Sequence, residues 1–118
     1  MRLVETIEAL NELLAGTTVR PALLFKHSLS CGTSAMAMEE MTELVAGVPL
    51  EAEFALVRVQ AARAVSEAIA TRLKVRHESP QVLLVRNEQV IWSATHWNIT
   101  AETVREALRR LAEPVSRS

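Results

Sequence analysis

The residue of this chain best suited to chemistry is Cys31, the only cysteine among 118 residues. It lies in the stretch HSLSCGTS, residues 27–34, where an apolar run gives way to a helical pattern. Ser30 is a favourable N-cap, so Cys31 is predicted to be the first residue of a helix. Unpaired backbone N–H groups and the positive end of the helix dipole favour a thiolate at that position. The pattern therefore predicts a nucleophilic thiol with a lowered pKa.

The neighbours of Cys31 bear on how it reacts. A free cysteine can also be a small buried core residue, but small polar neighbours favour exposure here. Ser34 lies three residues further on, where two-thiol redox enzymes have a second cysteine. A hydroxyl can donate a hydrogen bond to the thiolate but cannot form a disulfide, so the predicted chemistry is monothiol and needs a second thiol from outside. A solvated serine in the first helical turn is the open alternative for Ser34.

Composition excludes several other functions. Lys and Arg (13) nearly balance Asp and Glu (14), so no broad positive field can hold nucleic acid or an acidic membrane surface. No apolar run approaches the about 20 residues that span a bilayer. Acidic residues interrupt the N-terminal stretch where a secretory signal needs apolar ones, and a single cysteine forms no internal disulfide, so we expect a cytoplasmic protein. Motifs of hydrolases, nucleotide-binding loops and nicotinamide enzymes are absent from the sequence.

Hydrophobic periodicity predicts the elements that position the thiol. A first helix over about residues 2–15 is expected from its apolar stripe, and Gly16 is its expected C-cap. A strand buried on both faces follows, with Lys26 and His27 at its exit. The next helix presents a stripe of apolar residues at helical spacing. The stripe of the first helix is Leu3, Ile7, Leu10 and Leu14; the strand is Ala22 to Phe25; and the stripe of the next helix is Ala35, Met38, Met41 and Val45.

The second half of the sequence alternates in the same way. It predicts a second strand, a third helix, a third strand that begins after Pro80, a turn at Asn87–Glu88, a fourth strand, and a last helix capped by Thr100 and ended by Pro114. The second strand is Phe54 to Val59, the third is Gln81 to Val85, and the fourth is Gln89 to Trp92. The stripe of the third helix is Val65, Ile69 and Leu73, and that of the last helix is Val104, Ala107, Leu108 and Leu111.

This order requires an α/β fold with a mixed four-stranded sheet and helices on both faces, because strand crossovers are right-handed and each apolar stripe needs cover. The order β-α-β-α-β-β-α with one extra N-terminal helix is the thioredoxin-like plan. We expect a single domain over residues 1–118, with a core of about 19–113 behind the N-terminal helix. In such folds the loop after the first strand lies at the carboxyl edge of the sheet, the usual place for a site.

Three separated segments resemble one known family. They are Phe25-Lys26-His27-Ser28, the stretch VRHESPQ at residues 75–81, and the stretch HWNIT at residues 96–100. Together they resemble the monothiol bacilliredoxins, thioredoxin-like proteins of the bacillithiol system in bacteria. The resemblance covers nearly the whole chain.

The resemblance implies a redox enzyme. Its Cys31 would remove bacillithiol from protein mixed disulfides in a stress response, with a small thiol as co-substrate, S-thiolated proteins as partners, and no bound cofactor. Pro80 would be the cis-proline of thioredoxin-like folds, placed against the cysteine so that the backbone of Ser79 pairs with a bound thiol compound like an added strand.

One departure keeps alternatives open. The family usually has Cys-Pro-Ile-Ser, whereas this chain has Cys31-Gly32-Thr33-Ser34, and glycine does not fix the first turn as proline does. The motif is also similar to the Cys-Gly-Phe-Ser of monothiol glutaredoxins, some of which hold a 2Fe–2S cluster with glutathione. An iron–sulfur carrier or a thioredoxin-like interaction module without turnover is therefore the alternative.

Charged and aromatic residues near these segments supply further candidates. Arg72, Lys74, Arg76 and His77 form a basic cluster before Pro80 that could attract the carboxylates of a small thiol; a solvated helix end is the alternative. Lys26 and His27 could lower the pKa of the thiol, or could simply face water.

The remaining histidines and Trp97 are interpreted structurally. The spacings of His27, His77, His96 and Cys31 match no usual zinc pair, so we expect no metal. We expect Trp97 to pack between the hairpin and the last helix, and His96 to anchor that turn.

Overall fold

The computed structural model describes residues 2–28, 32–47 and 52–112. Its mixed sheet has five strands in the order β1-β3-β2-β4-β5. The elements are β1 (Arg2–Leu3), α1 (Ile7–Gly16), β2 (Ala22–His27), α2 (Gly32–Gly47), β3 (Glu53–Arg58), α3 (Arg63–Leu73), β4 (Gln81–Arg86), β5 (Gln89–Thr95), a short 3-10 helix (His96–Asn98) and α4 (Ala101–Ala112). The expected α/β plan with a mixed sheet is confirmed, but the expected number of four strands is wrong because β1 adds one.

The N-terminal segment differs most from its prediction. Arg2 and Leu3 form an edge strand parallel to β3, and the helix begins only at Ile7, where the side chain of Thr6 accepts a hydrogen bond from the Ala9 N–H. Leu3 fits the helical period of the stripe behind it, so periodicity alone placed it in the helix. In the structure Leu3 is exposed, and its neighbour Val4 is buried against the sheet.

The end of α1 also differs from its prediction. Gly16 is the last helical residue, and the C-cap is Thr17 in the right-handed helical conformation. The hydroxyl of Thr17 donates to the carbonyl of Leu14, so a polar side chain closes the helix where a left-handed glycine was expected.

The central strand β2 is buried at every residue, as its apolar run predicts. It lies parallel to β3 and antiparallel to β4. The strand is two residues longer than expected, so Lys26 and His27 are part of it and not at its exit. Lys26 is opposite Val57 on one side and Gln81 on the other. Both basic side chains are therefore buried residues at the end of the central strand.

Two apolar cores lie on the two faces of the sheet. Residues of α1 and α3 form one with the sheet, and residues of α2 and α4 form the other. The predicted stripe of α3 is confirmed, since Val65, Ile69 and Leu73 are all buried.

The predicted face of α2 is only partly right. Met41 is fully buried as expected, but Ala37 and Leu44 are its buried companions, whereas Ala35 is exposed. Uncharged residues occur on several sides of this helix, so spacing alone does not define the face that meets the sheet.

The C-terminal half follows its sequence pattern closely. Asn87 and Glu88 have positive φ angles of 53° and 60°, which is the two-residue turn that matches the twist of a hairpin. Thr100 is the N-cap of α4, because its hydroxyl oxygen accepts from the N–H of Thr103 at 3.0 Å. The expected stop at Pro114 lies outside the described residues. In the part of the chain described, no helix is both long and apolar enough to cross a membrane.

Candidate active site at the end of the central strand

The start of β4 lies beside the carboxyl end of β2. The side of the sheet that these strand ends form is called its carboxyl edge. The peptide bond between Ser79 and Pro80 is cis, and Gln81, the next residue, is opposite Lys26 of β2. Pro80 is buried, and its carbonyl oxygen accepts a hydrogen bond of 3.2 Å from the N–H of His96. The cis bond that the family resemblance implies is thus present, at the edge from which the chain continues towards Cys31.

The thiol itself falls outside what the structure describes. Leu29, Ser30 and Cys31 are not among the described residues, and α2 begins at Gly32. The expectation that Cys31 opens the helix and that Ser30 caps it therefore lies outside the described part. Ser34 has its backbone in the first turn of α2. The catalytic roles of Cys31 and Ser34 remain predictions.

A buried polar contact lies beside this edge. Lys26 is fully buried, and its Nζ lies 2.7 Å from Nδ1 of His77, 51 residues along the chain. The hydroxyl oxygen of Ser66 on α3 lies 3.3 Å from the same nitrogen. No carboxylate contacts Lys26 within the described ranges, so its pairing with a histidine is unusual for a buried lysine.

The electrostatics of this contact set the protonation of both groups. Burial lowers the pKa of Lys26 from 10.5 to about 8, and Glu78 opposes that change. Although His77 is exposed overall, partial loss of water around its ring lowers its pKa, and the charge of Lys26 lowers it further. Near neutral pH, Lys26 is therefore an ammonium that donates to the lone pair of a neutral imidazole. The proton of His77 then resides on Nε2.

His27 is the second basic residue that β2 buries. It is 6% exposed, its ring lies edge-on against Phe25 at 5.7 Å, and its Nδ1 is buried with no hydrogen-bond partner among the described residues. Burial lowers its pKa, which favours the neutral ring. A neutral imidazole carries no charge that could stabilise a thiolate, so the predicted effect of His27 on the thiol would require its protonation.

The basic cluster before Pro80 is divided between the two ends of the sheet. Arg72 donates to the side chain of Asn11 and pairs with Glu88 of the hairpin turn at 3.6 Å. Lys74 adopts a left-handed conformation that ends α3. Both residues belong to the edge opposite Pro80.

Arg76 and His77 remain near Pro80. The side chain of Arg76 is 91% exposed and pairs with Glu78 at 3.6 Å, while its carbonyl accepts a hydrogen bond from the Gln81 side chain. Ser79 is half-buried, and its hydroxyl has no hydrogen-bond partner in the part of the chain that the structure describes. Of the predicted substrate-binding residues, Arg76 is open to solvent, whereas buried Lys26 would act through His77.

The turn after β5 is only partly as expected. The backbone N–H of His96 anchors the turn to Pro80, and its carbonyl accepts from Ile99. Trp97 is 68% exposed, so the expectation that it packs between the hairpin and the last helix is wrong. Ile99 is the buried residue of this segment instead, at 3% exposure. His96, directly before Trp97, has a positive φ of 52°.

Two polar residues of this region were missed at the level of sequence. Ser66 lies beside Val65 on the buried side of α3, and this small polar residue within an apolar stripe was the available signal. Gln60 donates a hydrogen bond of 2.7 Å to the hydroxyl of Ser28, and nothing in the sequence indicates this contact. Among the described residues, no group of three His, Cys, Asp or Glu side chains is arranged to hold a metal ion.

Comparison with solved structures identifies the fold. A thioredoxin-fold protein assigned provisionally as an oxidoreductase superposes with a TM-score of 0.79 at 24% identity, covering 90% of this chain and 91% of the other. Thioredoxin from Fasciola hepatica superposes with a TM-score of 0.73 at 20% identity, over 93% and 98% of the chains. A thioredoxin variant from Halobacterium salinarum gives 0.74 at 15% identity, over 98% and 93%. At these identities the likeness shows the thioredoxin fold alone.

Comparison with protein families is more specific. The family model described as "Monothiol bacilliredoxin BrxC" matches residues 2–104, which is most of the chain and includes the end of β2, the cis-proline and the turn after β5. This match supports a function in thiol redox chemistry. The chain belongs to the monothiol bacilliredoxin family.

Proposed function

We propose that this protein is a monothiol thiol–disulfide oxidoreductase that removes bacillithiol from protein mixed disulfides, with Cys31 as the nucleophile. The observation that carries the proposal is the family match over residues 2–104. The cis bond before Pro80, beside the end of β2, supports it because the sequence continues from there to Cys31.

The reaction comprises two thiol–disulfide exchanges. The Cys31 thiolate attacks the bacillithiol sulfur of the mixed disulfide, the S–S bond breaks, and the substrate cysteine leaves as a thiolate. Cys31 then carries bacillithiol as a mixed disulfide. A second bacillithiol thiolate attacks the bacillithiol sulfur of this adduct, releasing bacillithiol disulfide and restoring the Cys31 thiolate. The second small thiol is oxidised and the substrate cysteine is reduced, so no bound cofactor is required.

Three groups would assist this chemistry. The first-turn hydroxyl of Ser34 would donate a hydrogen bond to the thiolate. The backbone of Ser79, directly before the cis-proline, would pair with the bound thiol compound as an added strand does. Arg76, which is open to solvent, would attract a carboxylate of the substrate. S-thiolated proteins are the proposed partners, and the proposed setting is the reducing cytoplasm of a bacterium under oxidative stress.

A turnover assay tests the proposal. The purified protein is mixed with a bacillithiolated substrate protein and an excess of bacillithiol, and release of the substrate thiol is followed. We expect turnover by the unchanged protein, none above background by Cys31→Ser, and a reduced rate by Ser34→Ala. Equal rates for the unchanged protein and Cys31→Ser would overturn the proposal. A brown protein whose visible absorbance disappears in Cys31→Ser would instead favour the iron–sulfur alternative.

A further inference from the structure

A cavity of about 550 Å³ is lined by the turn after β3, by most of the length of α3, and by His77. We propose that this α3 cavity binds the carboxylate end of the small thiol, with Arg63 and the Nε2–H of His77 as its donors. The inference rests on the proposed function for the identity of the thiol. It adds the place and the chemistry by which that thiol is recognised.

The α3 cavity is linked to the segment that carries the nucleophile. Gln60, on its rim, donates to the Ser28 hydroxyl at 2.7 Å, and the N–H of Val59 donates to the carbonyl of His27 at 2.8 Å. Ser28 precedes Cys31 by three residues, a span of at most roughly 10 Å. A thiol compound the size of a tripeptide has a similar reach. One molecule could therefore place its sulfur at Cys31 and its carboxylates in the cavity.

The buried lysine fixes His77 as a donor towards the cavity. The Nδ1 of His77 faces Lys26 at 2.7 Å and Ser66 at 3.3 Å, so this nitrogen is occupied within the protein. Because the ammonium of Lys26 donates to Nδ1, the ring proton is held on Nε2, the nitrogen left for a ligand. His77 is exposed and contributes to the lining of the cavity. Lys26 is thus a positioning residue that acts through His77.

Arg63 supplies the charge that a carboxylate requires. It is exposed at the start of α3, and in the described part of the chain its side chain forms no ion pair or hydrogen bond. A guanidinium in this state can bind a carboxylate through two parallel hydrogen bonds. Glu67, one turn further along the helix, also lines the cavity and repels anions. A carboxylate is therefore disfavoured beside Glu67 and favoured beside Arg63 and His77, which line the same cavity.

A kinetic comparison tests the cavity through the first exchange, in which the thiol bound to the substrate protein enters the site. The Michaelis constant for a bacillithiolated substrate protein is compared with that for the same protein carrying 2-mercaptoethanol, a thiol without a carboxylate, as its mixed disulfide. For Arg63→Gln we expect a rise of at least tenfold for the bacillithiolated substrate and little change for the 2-mercaptoethanol disulfide. Arg105→Gln is the matched control, since Arg105 is an exposed arginine on α4. An unchanged Michaelis constant for the bacillithiolated substrate in Arg63→Gln would overturn the inference and leave the proposed function intact.

A binding measurement tests the carboxylate site independently of whether bacillithiol is a substrate. Succinate, a dicarboxylate without a thiol, is titrated into the reduced protein while the side-chain nitrogen resonances of His77 and Arg63 are followed by NMR. We expect both to shift, with binding weakened at least fivefold in Arg63→Gln and also weakened in Lys26→Met. Shifts confined to other residues, or the same affinity in Arg63→Gln, would contradict a carboxylate site here, whatever the turnover assay shows.

Discussion

The Nζ of Lys26 lies 2.7 Å from Nδ1 of His77, inside a sheet whose other central residues are almost all apolar. A buried ammonium without a carboxylate partner costs free energy, because the protein interior solvates a charge less well than water does. Such groups are more common near functional sites than elsewhere. The contact lies at the carboxyl edge of the sheet, where the cis-proline directly precedes β4.

The first prediction concerns the effect of pH on stability. The folded-state pKa of Lys26, about 8, is below its ordinary value of 10.5. Between these values the unfolded chain binds more protons than the folded one, so this residue makes the folded state relatively more stable as the pH rises. Below about pH 8 both states are protonated, and the full penalty for burying the charge is present.

Replacement of this lysine by an apolar side chain isolates the effect. Lys26→Met removes the buried charge, so we expect the variant to unfold at higher denaturant than the unchanged protein at about pH 7.5. The difference in unfolding free energy should shrink by about pH 9.5. Urea denaturation at the two pH values measures it. A stability difference that is the same at both pH values, or a variant that is much less stable at both, would show that burial of the ammonium does not destabilise the folded state.

The second prediction concerns the tautomer of His77. Near neutral pH its ring should be neutral with the proton on Nε2, because Nδ1 accepts from Lys26. Long-range proton–nitrogen NMR correlations distinguish the two ring nitrogens. In Lys26→Met the second tautomer should become populated, since Ser66 is then the one contact of Nδ1 among the described residues. A proton found on Nδ1 in the unchanged protein would contradict the assigned roles of donor and acceptor.

The sequence predicts the parts of the fold that local patterns determine. The uniformly apolar run of β2, the stripe of α3 and the Asn87–Glu88 turn each carry their own signal, and each is confirmed. Strand β1 could not be recognised, because two residues show no period and Leu3 matches the helical stripe behind it. Edge pairing with β3 is a tertiary contact over about fifty residues.

The site was harder to predict than the fold. Contact between Lys26 and His77 depends on how β2 and the segment before β4 meet, which spacing does not encode. The cis bond before Pro80 was expected only from the family resemblance, since about one X–Pro bond in twenty is cis in folded proteins. Trp97 is expected between the hairpin and the last helix because a large aromatic side chain is more often buried than exposed, and its exposure shows that this expectation is wrong.

The third prediction tests which residue of the turn after β5 supports the core. Ile99 is buried and Trp97 is mostly exposed. Ile99→Ala should therefore cost about 2–5 kcal/mol of unfolding free energy, whereas Trp97→Ala should cost less than about 1 kcal/mol despite its larger side chain. Denaturant unfolding of the two variants side by side gives the comparison. A larger loss for Trp97→Ala would place the tryptophan in the core after all.

The fourth prediction concerns the acidity of the thiol. If Cys31 precedes α2 as an exposed residue, backbone N–H groups and the helix dipole should lower its pKa below the free value of about 8.5. The rate of alkylation by iodoacetamide, measured from about pH 4 to 9, gives the midpoint directly. Ser34→Ala should raise this midpoint by removing a hydrogen-bond donor. A midpoint at or above the free value would leave Cys31 without the activation that the proposed reaction needs.

Transfer of bacillithiol to Cys31 is the step on which the whole account depends. The reduced protein is mixed with an equal amount of a bacillithiolated substrate protein, free bacillithiol is omitted, and the reaction is quenched with acid before mass spectrometry. We predict a single bacillithiol adduct that peptide mapping places on Cys31, with loss of the same mass from the substrate. A Cys31 that stays a free thiol beside an unchanged, fully bacillithiolated substrate would contradict the account.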